Sequence, residues 1–533
     1  MNFDATFYPY PSRRTVVYGQ KAMVATSHPL AAQAGLTIMQ QGGNAIDAAI
    51  ATAACLTVVE PTSNGLGGDA FATVWAQGSL YGLNSSGPAP QALTDQWVRS
   101  QGFDAMPAHG WAPVTVPGIP GAWAQLASRF GALPLTVTLE PAIRVAREGY
   151  PVSPTVSFFW QRAYEHYASM LMGPEYGEWF RVFAPQNRGP KAGEIWSSQD
   201  HANTLEEIAR SNAESFYRGK LAEQIARFSQ TTGGVMAFSD LAAFHPQWVT
   251  PLSVGFHDYE VWELPPNGQG LIALMALKML EGLPCSSEVE RIHQQIECLK
   301  LAFADAQKFI ADPRYMTVTA ADLLADEYLN NRRKLIGEMA EERGAGSPRP
   351  GGTVYLAVAD KQGNMVSYIQ SNYSGFGSGL VVPNTGIALQ NRGHLFTLSP
   401  GHPNSLAPGK RPYHTIIPGF LTHHGTPVGP FGVMGGFMQP QGHVQVLSRI
   451  LSQEMNPQAA LDAPRFYWDH GTTVVVEATM PQSVIADLER RGHQISVTTD
   501  VGLFGRGQIV WRLPSGVLIG ATESRADGHV ASW

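Results

Sequence analysis

Apolar and polar positions along the chain follow two periods, one typical of helices and one of strands. From Ile292 onward, apolar residues recur at helical spacing and predict an amphipathic helix. Residues 27–41 predict another helix, with a proline in its first turn and two glycines beyond its end, and the Ala-rich residues 44–57 predict the next. Residues 71–83 alternate and predict a strand. The chain therefore mixes helical and strand patterns.

The clearest strand pattern follows the most linker-like stretch. Residues 343–352 have the sequence Arg-Gly-Ala-Gly-Ser-Pro-Arg-Pro-Gly-Gly, and regular alternation begins at Thr353. Residues 353–360 and 364–371 predict two antiparallel strands joined by a three-residue loop, whose last residue is a glycine that suits turn-plus-bulge geometry. In this register Thr353 lies opposite Ser371, and the two side chains come within cross-strand reach.

The composition excludes disorder and argues against a polyanionic partner. Of 533 residues, 44% are hydrophobic and 15% are charged, which is enough apolar material for a large buried core. The net charge of −7 is spread along the chain without a basic stripe, so we expect no nucleic-acid partner. We expect a turn-rich enzyme, since the chain has 55 glycines and 38 prolines.

Neither cysteines nor histidines have the spacing of a metal site. Cys55, Cys285 and Cys298 form no CxxC pair, and no HExxH motif occurs, so we expect no disulfide framework, no metal and no cofactor. Residues 1–20 lack the apolar segment of a secretory signal, and no stretch approaches the ~18 apolar residues of a membrane span. The expectation is a soluble, cytoplasmic protein.

One glycine-rich loop has the form of a nucleotide-binding motif. Residues 65–70 match GxGxxG/A, but a dinucleotide site needs a strand before the loop and a helix after it. Here a strand pattern follows the loop. We therefore expect no dinucleotide site.

The order of linker, glycine and hydroxyl residue suits a precursor that cleaves itself. Gly352 can hold the distorted backbone that an N-to-O acyl shift requires, and cleavage would make Thr353 a new N-terminus. An α-amine has a reference pKa of about 7.7 to 8.0, so it can act as the general base for its own hydroxyl group. The alternative is a linker that meets an ordinary surface strand.

A glycine pair farther along the chain suits an oxyanion hole. Gly435 and Gly436 lie between apolar segments and could turn two backbone N–H groups toward one point. A tight turn without catalytic role is the alternative.

Several segments, spread over nearly the whole chain, resemble the γ-glutamyltransferase family in order and spacing. They are Met23-Val-Ala-Thr-Ser-His-Pro-Leu, Gln41-Gly-Gly-Asn-Ala-Ile-Asp-Ala-Ala, Val59-Glu-Pro-Thr-Ser-Asn-Gly-Leu-Gly-Gly, Thr353 with Ala359-Asp-Lys-Gln-Gly-Asn, Lys410-Arg-Pro, and Gly435-Gly. The resemblance implies an α/β (α+β) fold, the four-layer αββα sandwich of the N-terminal-nucleophile hydrolases. It also implies a proenzyme that cleaves itself into a large subunit, 1–352, and a small subunit, 353–533, which could assemble further into a homo-oligomer.

The same resemblance assigns the catalytic residues. Thr353 falls on the nucleophile of the family, Ser371 on its supporting hydroxyl residue, and Gly435 and Gly436 on its oxyanion hole. Cleavage would take place between Gly352 and Thr353.

The substrate positions of the family are less well matched. Ser86 replaces the arginine that holds the α-carboxylate of a γ-glutamyl group, and Leu395 replaces the aspartate that holds its ammonium group. Tyr373 replaces an asparagine, and His414 and Thr415 replace two serines. A site without either charge partner of an amino acid disfavours a glutathione-like substrate.

Two arginines, Arg392 and Arg411, could instead bind a simple anion, or each could have a structural role. The chain resembles the branch of the family that splits oxamate into oxalate and ammonia in purine-nitrogen salvage. Three alternatives stay open: a γ-glutamyl hydrolase or transferase, an acylase for larger amides such as cephalosporins, which the apolar Tyr373 and Leu395 would suit, and an uncleaved binding scaffold without activity. Hydrolysis is favoured over transfer, because no feature predicts a site for an acceptor amine.

Overall fold

Two antiparallel sheets, each of seven strands, form the centre of the protein. The structure is a computed structural model that describes residues 13–342 and 352–533. Most of the predicted linker, 343–351, therefore lies outside the described residues. The strands are β1 Val17–Gly19, β2 Ala22–Thr26, β3 Asp69–Ala76, β4 Ser79–Ser85, β5 Tyr150–Pro151, β6 Ile195–Trp196, β7 Gln247–Val249, β8 Leu252–Phe256, β9 Tyr259–Glu263, β10 Gly352–Asp360, β11 Met365–Tyr373, β12 Gly419–His423, β13 Thr426–Met434, β14 Phe466–His470, β15 Thr473–Glu477, β16 Gln494–Thr498, β17 Arg506–Arg512, β18 Leu518–Thr522 and β19 His529–Ser532. Sheet A has the strand order β1-β18-β17-β13-β12-β9-β8, and sheet B has the order β19-β2-β10-β11-β3-β4-β7.

Helices cover the outer faces of both sheets. They are α1 Pro29–Gln40, α2 Ala45–Val59, α3 Asp95–Ser100, α4 Ile119–Phe130, α5 Leu135–Thr138, α6 Glu140–Glu148, α7 Pro154–Met170, α8 Gly177–Phe183, α9 Gln199–Ser211, α10 Glu214–Arg218, α11 Lys220–Thr231, α12 Phe238–Ala242, α13 Gly270–Leu280, α14 Glu288–Phe309, α15 Ala320–Leu323, α16 Asp326–Arg333, α17 Met438–Leu447, α18 Pro457–Asp462 and α19 Gln482–Arg490. Among the described residues, no helix has the length and apolar character needed to cross a membrane.

The three largest clusters of buried apolar side chains form three layers. Phe71, Tyr355 and Phe420 belong to the cluster between the two sheets. A second cluster joins the outer face of sheet B to helices of the first half of the chain, α1 and α2 among them. A third joins the outer face of sheet A to α13, α14 and the helices α17 to α19. The order is helix, sheet, sheet, helix, and the expectation of a four-layer αββα sandwich is confirmed.

The first helices begin where local capping predicts. Asn44 precedes α2, and its side-chain oxygen accepts hydrogen bonds from the backbone N–H groups of Ile46 and Asp47 at 2.9 and 3.1 Å. Its own backbone N–H donates to the Asp47 carboxylate at 3.0 Å. This capping box satisfies N–H groups that have no partner inside the helix. The predicted helix over 27–41 is α1, and the helix predicted from Ile292 is part of α14.

The single strand predicted over 71–83 is wrong. The chain instead forms the hairpin β3–β4, in which Ala76 pairs with Ser79. Gln77 and Gly78 make the turn with φ values of 53° and 76°. Both residues of such a tight hairpin turn need positive φ, and glutamine is an uncommon residue there, so the alternating pattern continues through the turn without a visible break.

The hairpin of Thr353 has the predicted register. Tyr355 pairs with Ile369 and Ala359 with Met365, and Gly363 has the left-handed φ of 97° that the three-residue loop requires. Before Val354 the register shifts. The strand β10 thus begins with an irregularity at the residue where cleavage is expected.

We expect Asn44→Ala to lower the free energy of unfolding by about 1 to 2 kcal/mol, because the cap of α2 is lost together with the hydrogen bond from Asn44 Nδ2 to the carbonyl of Phe130. Chemical denaturation measures the change. Asn456→Ala is the matched control, since Asn456 caps only the short α18 through one bond to Ala459. Equal stabilities of the Asn44→Ala variant and the wild type would contradict the role of the cap.

Candidate active site

One hydroxyl group organises the start of β10. The Ser371 hydroxyl donates to the carbonyl of Gly352 at 2.6 Å and accepts from the hydroxyl of Thr353 at 3.2 Å. It also accepts the N–H of Tyr373 at 2.7 Å. A hydroxyl group offers one donor and two acceptor positions, so Ser371 is fully used. Two of these contacts join Ser371 to the residues on either side of the Gly352–Thr353 peptide bond, and the third ties Ser371 to its own strand.

Gly352 occupies a place with little room for a side chain. A Cβ atom there would lie 3.1 Å from the backbone nitrogen of Gly375 and 3.2 Å from Cα of Ser63. Backbone on both sides would have to shift to admit it. This close approach gives a physical reason for glycine before Thr353.

The glycine pair Gly435–Gly436 turns the chain from β13 into α17. Both residues have positive φ, 135° and 60°. Tyr355 of β10 contacts Gly432 of β13, where a Cβ atom would come within 2.5 Å of its ring. The turn therefore lies three residues beyond the point at which sheet A meets the strand of Thr353.

Arg392 is buried close to the β10–β11 hairpin, and only part of its guanidinium group has a hydrogen-bond partner. Its guanidinium carbon lies 4.7 Å from the centre of the Tyr373 ring, and Nη1 donates to the Thr415 hydroxyl at 2.6 Å. Nε and Nη2 are buried without a hydrogen-bond partner. Burial lowers the pKa of Arg392 to about 10, which leaves the group protonated at neutral pH. A buried cation with two unpaired donors is suited to a planar anion.

Asp69 is not among the predicted site residues, but its negative charge acts on this arginine. It starts β3 opposite Ser371, and its Oδ1 accepts from Gln390 and from the N–H of Gly87 at 2.9 and 3.2 Å. Burial raises the pKa of Asp69 to about 7, while the positive charge of Arg392 opposes this rise. In the sequence, the signal for this site residue was a carboxylate directly after a glycine-rich loop.

His414 is buried and bonded at both ring nitrogens. Nε2 lies 3.1 Å from Oδ2 of Asp69, and Nδ1 accepts the N–H of Ile416 at 3.3 Å. Burial, and then the positive charge of Arg392, hold its pKa well below the usual value. His414 therefore supports Asp69 and presents no free nitrogen to a substrate.

Arg411 lies in a different environment. Its Nε donates to the carbonyl of Ser86 at 2.8 Å and its Nη1 to Gln247 at 3.0 Å. It borders a cleft of about 410 Å³ that Asn84 and Asn267 also line. The Ser86 hydroxyl is bonded to Asn84 at 2.7 Å. The structure thus brings Arg392, and not Arg411, into contact with Tyr373 and Thr415.

A second polar residue that was not predicted, Gln269, connects Thr415 to the glycine turn. Its Nε2 donates to the carbonyls of Thr415 and Gly436 at 2.6 and 2.9 Å. Contacts therefore run without interruption from Thr353 through the arginine to the glycine turn. The sequence signal for Gln269 is weak, since it is a polar residue at the end of a Pro-Pro-Asn-Gly turn.

One histidine cluster lies apart from these residues. His293, Glu297 and His493 bring possible metal-ligand atoms within 4.8 Å of one another. The two imidazoles hydrogen-bond to each other at 2.9 Å, and Lys300 donates to Glu297 at 2.6 Å. The Lys300 ammonium group thus balances the charge of the Glu297 carboxylate in the place where a metal ion would otherwise do so.

Comparison with known proteins connects this geometry to one family. The model of the gamma-glutamyltranspeptidase family matches residues 31–533. The chain is 34% identical to the glutathione hydrolase-like YwrD proenzyme of Bacillus subtilis and 33% identical to the oxamate amidohydrolase proenzyme of Klebsiella pneumoniae, in each case over 96% of this chain and 98% of the relative. The crystal structure of cephalosporin acylase from Bacillus halodurans superposes with a TM-score of 0.97 at 57% identity, covering 100% of this chain and 99% of that one.

We expect Asp69→Asn to change how stability depends on pH. An aspartate has a pKa of about 3.9 in an unfolded chain, and burial raises that of Asp69 to about 7 in the folded protein. The folded state therefore holds a proton that the unfolded state releases, so the contribution of Asp69 is full below the unfolded pKa and is lost as the pH rises through 7. The free energy of unfolding of the wild type should fall relative to Asp69→Asn between these two pH values. Denaturant titrations across this range measure it, and parallel curves would refute the raised pKa.

Proposed function

This chain belongs to the gamma-glutamyltranspeptidase family and is an amide-hydrolysing proenzyme, and from that membership we propose that it cleaves itself between Gly352 and Thr353 and then hydrolyses oxamate to oxalate and ammonia. Residues 1–352 would form the large subunit, and residues 353–533 the small subunit that begins with the nucleophile. The proenzyme relatives support cleavage into two subunits.

The contacts of Ser371 support the self-cleavage step. Its hydroxyl group polarises the carbonyl of Gly352, and the hydroxyl group of Thr353 is held beside the same peptide. Attack of Thr353 Oγ1 on the Gly352 carbonyl carbon forms an ester and breaks the C–N bond. The nitrogen keeps its own hydrogen, gains the proton that Oγ1 loses, and becomes the α-amine of Thr353. Water then hydrolyses the ester that remains. The tight place at Gly352 favours a glycine on the acyl side.

The same threonine then serves as the nucleophile for the substrate. Its α-amine takes the proton from Oγ1 as the oxygen attacks the amide carbon, and passes it to the departing ammonia. The N–H groups of Gly435 and Gly436 would bind the oxyanion, a contribution of about 3 to 4 kcal/mol per donor in comparable sites. Water releases the acyl group and restores the free threonine.

The choice of oxamate depends on one observation, the two unpaired donors of buried Arg392. Oxamate has a carboxylate directly attached to its amide carbon, and a guanidinium group binds a carboxylate through two parallel hydrogen bonds. Arg392 contacts the ring of Tyr373, and the N–H of Tyr373 donates to the Ser371 hydroxyl. Tyr373 therefore connects Arg392 to the hydroxyl groups of Ser371 and Thr353. The 33% identity to an oxamate amidohydrolase proenzyme supports the same choice.

A second candidate is an acylase for larger amides. The 57% identity to a cephalosporin acylase supports it. A γ-glutamyl substrate has less support, because the Ser86 hydroxyl is committed to Asn84 and the other family ligands are replaced. Ammonia release from oxamate, measured beside hydrolysis of a γ-glutamyl anilide and of a cephalosporin side-chain amide, separates the three. Activity on the cephalosporin amide alone would replace oxamate by the second candidate.

We expect Thr353→Ala to remain a single chain without hydrolase activity, because no hydroxyl group is left to attack Gly352 or a substrate. The wild type should separate into pieces 1–352 and 353–533, the smaller beginning Thr-Val-Tyr. Intact mass and N-terminal sequencing measure both. Thr353→Ser is the matched control and should still cleave, since it keeps the hydroxyl group. Cleavage of Thr353→Ala at the same bond would rule out this nucleophile.

We expect Arg392→Gln to raise KM for oxamate about 100-fold, as loss of a charge-assisted pair in a buried site implies. Hydrolysis of oxamide, the neutral diamide, should change far less, because it has no carboxylate to bind. Steady-state ammonia release measures both. The same change at Arg411, whose guanidinium group is bonded to Ser86 and Gln247, should have the smaller effect on KM for oxamate. The reverse order would move the anchor to Arg411.

A further inference from the structure

The side chain of Gln269 is buried and uses both ends of its amide. Its NH₂ group donates to two carbonyls, those of Thr415 and Gly436, at 2.6 and 2.9 Å. Its carbonyl oxygen accepts from the Tyr413 hydroxyl at 3.0 Å. An amide side chain has two donor hydrogens, and here each has its own acceptor.

The backbone fixes the place from which this side chain reaches out. The N–H of Gln269 donates to the carbonyl of His414 at 2.9 Å, and the N–H of His414 donates to the carbonyl of Asn267 at 2.9 Å. The two segments are therefore paired immediately before α13 begins. Gln269 is held to the residues it contacts by its main chain as well as by its side chain.

The two carbonyls belong to the two functional parts of the site. Gly436 is in the glycine turn, where φ values of 135° and 60° reflect a backbone with little conformational preference of its own. The turn has internal hydrogen bonds, from the N–H groups of Met438 and Gln439 to the carbonyls of Gly435 and Gly436 at 3.0 and 3.2 Å, and Gln269 adds a contact from outside it. Thr415, the other acceptor, holds Nη1 of Arg392 through its hydroxyl group.

We propose that Gln269 is a positioning residue that couples the oxyanion turn to the carboxylate anchor, so that one amide group sets both the Gly435–Gly436 N–H groups and Arg392. This inference rests on the proposed function. It predicts that a single substitution at Gln269 impairs both the binding of the substrate carboxylate and the stabilisation of the oxyanion. Gln269 itself would contact neither of these two groups.

The test compares Gln269→Leu and Gln269→Glu with the wild type on oxamate and on oxamide. Leucine keeps the volume but donates no hydrogen bond. We expect Gln269→Leu to lower kcat about 10- to 100-fold on both amides, somewhat less than direct loss of an oxyanion donor, and to raise KM for oxamate but not for oxamide. Intact mass first establishes that the variant has cleaved itself.

Gln269→Glu gives a readout that a merely structural role would not move. An ionised carboxylate has no hydrogen to donate and would face two carbonyl oxygens, whereas a protonated one can donate one bond. The ratio of variant to wild-type activity should therefore rise as the pH is lowered. If Gln269→Leu fails to fold, this pH profile alone decides the proposal.

Gln458→Leu is the matched control. Gln458 is also buried and also bonds a carbonyl and an N–H group, both of Thr522, but neither belongs to the site. Similar kinetic losses in this variant and Gln269→Leu would overturn the coupling, as would wild-type kinetics of Gln269→Leu or a flat pH ratio for Gln269→Glu. A wild type inactive on both amides would instead overturn the proposed substrate.

Discussion

The hydrogen bond from the Ser371 hydroxyl to the Gly352 carbonyl is the contact on which the site depends. It links two neighbouring strands at the end of one hairpin, and the hydroxyl group of Thr353 joins it from the same strand as the carbonyl. Side chains alternate between the faces of a sheet, so a slip of one residue in this hairpin would move Ser371 to the opposite face. The register set by the Gly363 turn therefore determines whether the Ser371 hydroxyl reaches Gly352 and Thr353, eight or more residues from the turn.

Burial of charge is the second constraint. Arg392 and Asp69 are both buried, and a charge removed from water is costly unless it is paired. Asp69 is compensated by hydrogen bonds from Gln390, Gly87 and His414. Arg392 has one hydrogen bond, to Thr415, and the face of an aromatic ring. The proposed anionic substrate would complete the pairing, so the free-energy cost of burying this cation would be offset further when the substrate binds.

Local signals predicted much of this structure, and they failed at one turn and where distant segments meet. The hairpin of Thr353 and the capped helix after Asn44 follow from turn and capping residues close in sequence. The β3–β4 turn did not, because Gln77 carries no turn signal. The choice between Arg392 and Arg411 depends on which guanidinium group is satisfied by protein atoms, and only the assembled fold determines that. Gln269 went unnoticed for the same reason, since its acceptors lie more than 140 residues away.

The position of the expected cut also has a consequence for assembly. Sheet B places β10 and β11, from the part after Thr353, between β2 and β3 from the part before it, and sheet A likewise combines β9 with β12. The bonds from Gln269 to Gly436 and from His414 to Asp69 cross the same boundary. Cleavage would therefore divide the chain without dividing a core or a sheet. The ladder hydrogen bonds and buried apolar layers would keep both pieces together, while the broken peptide bond would give Thr353 the amine that the proposed chemistry needs.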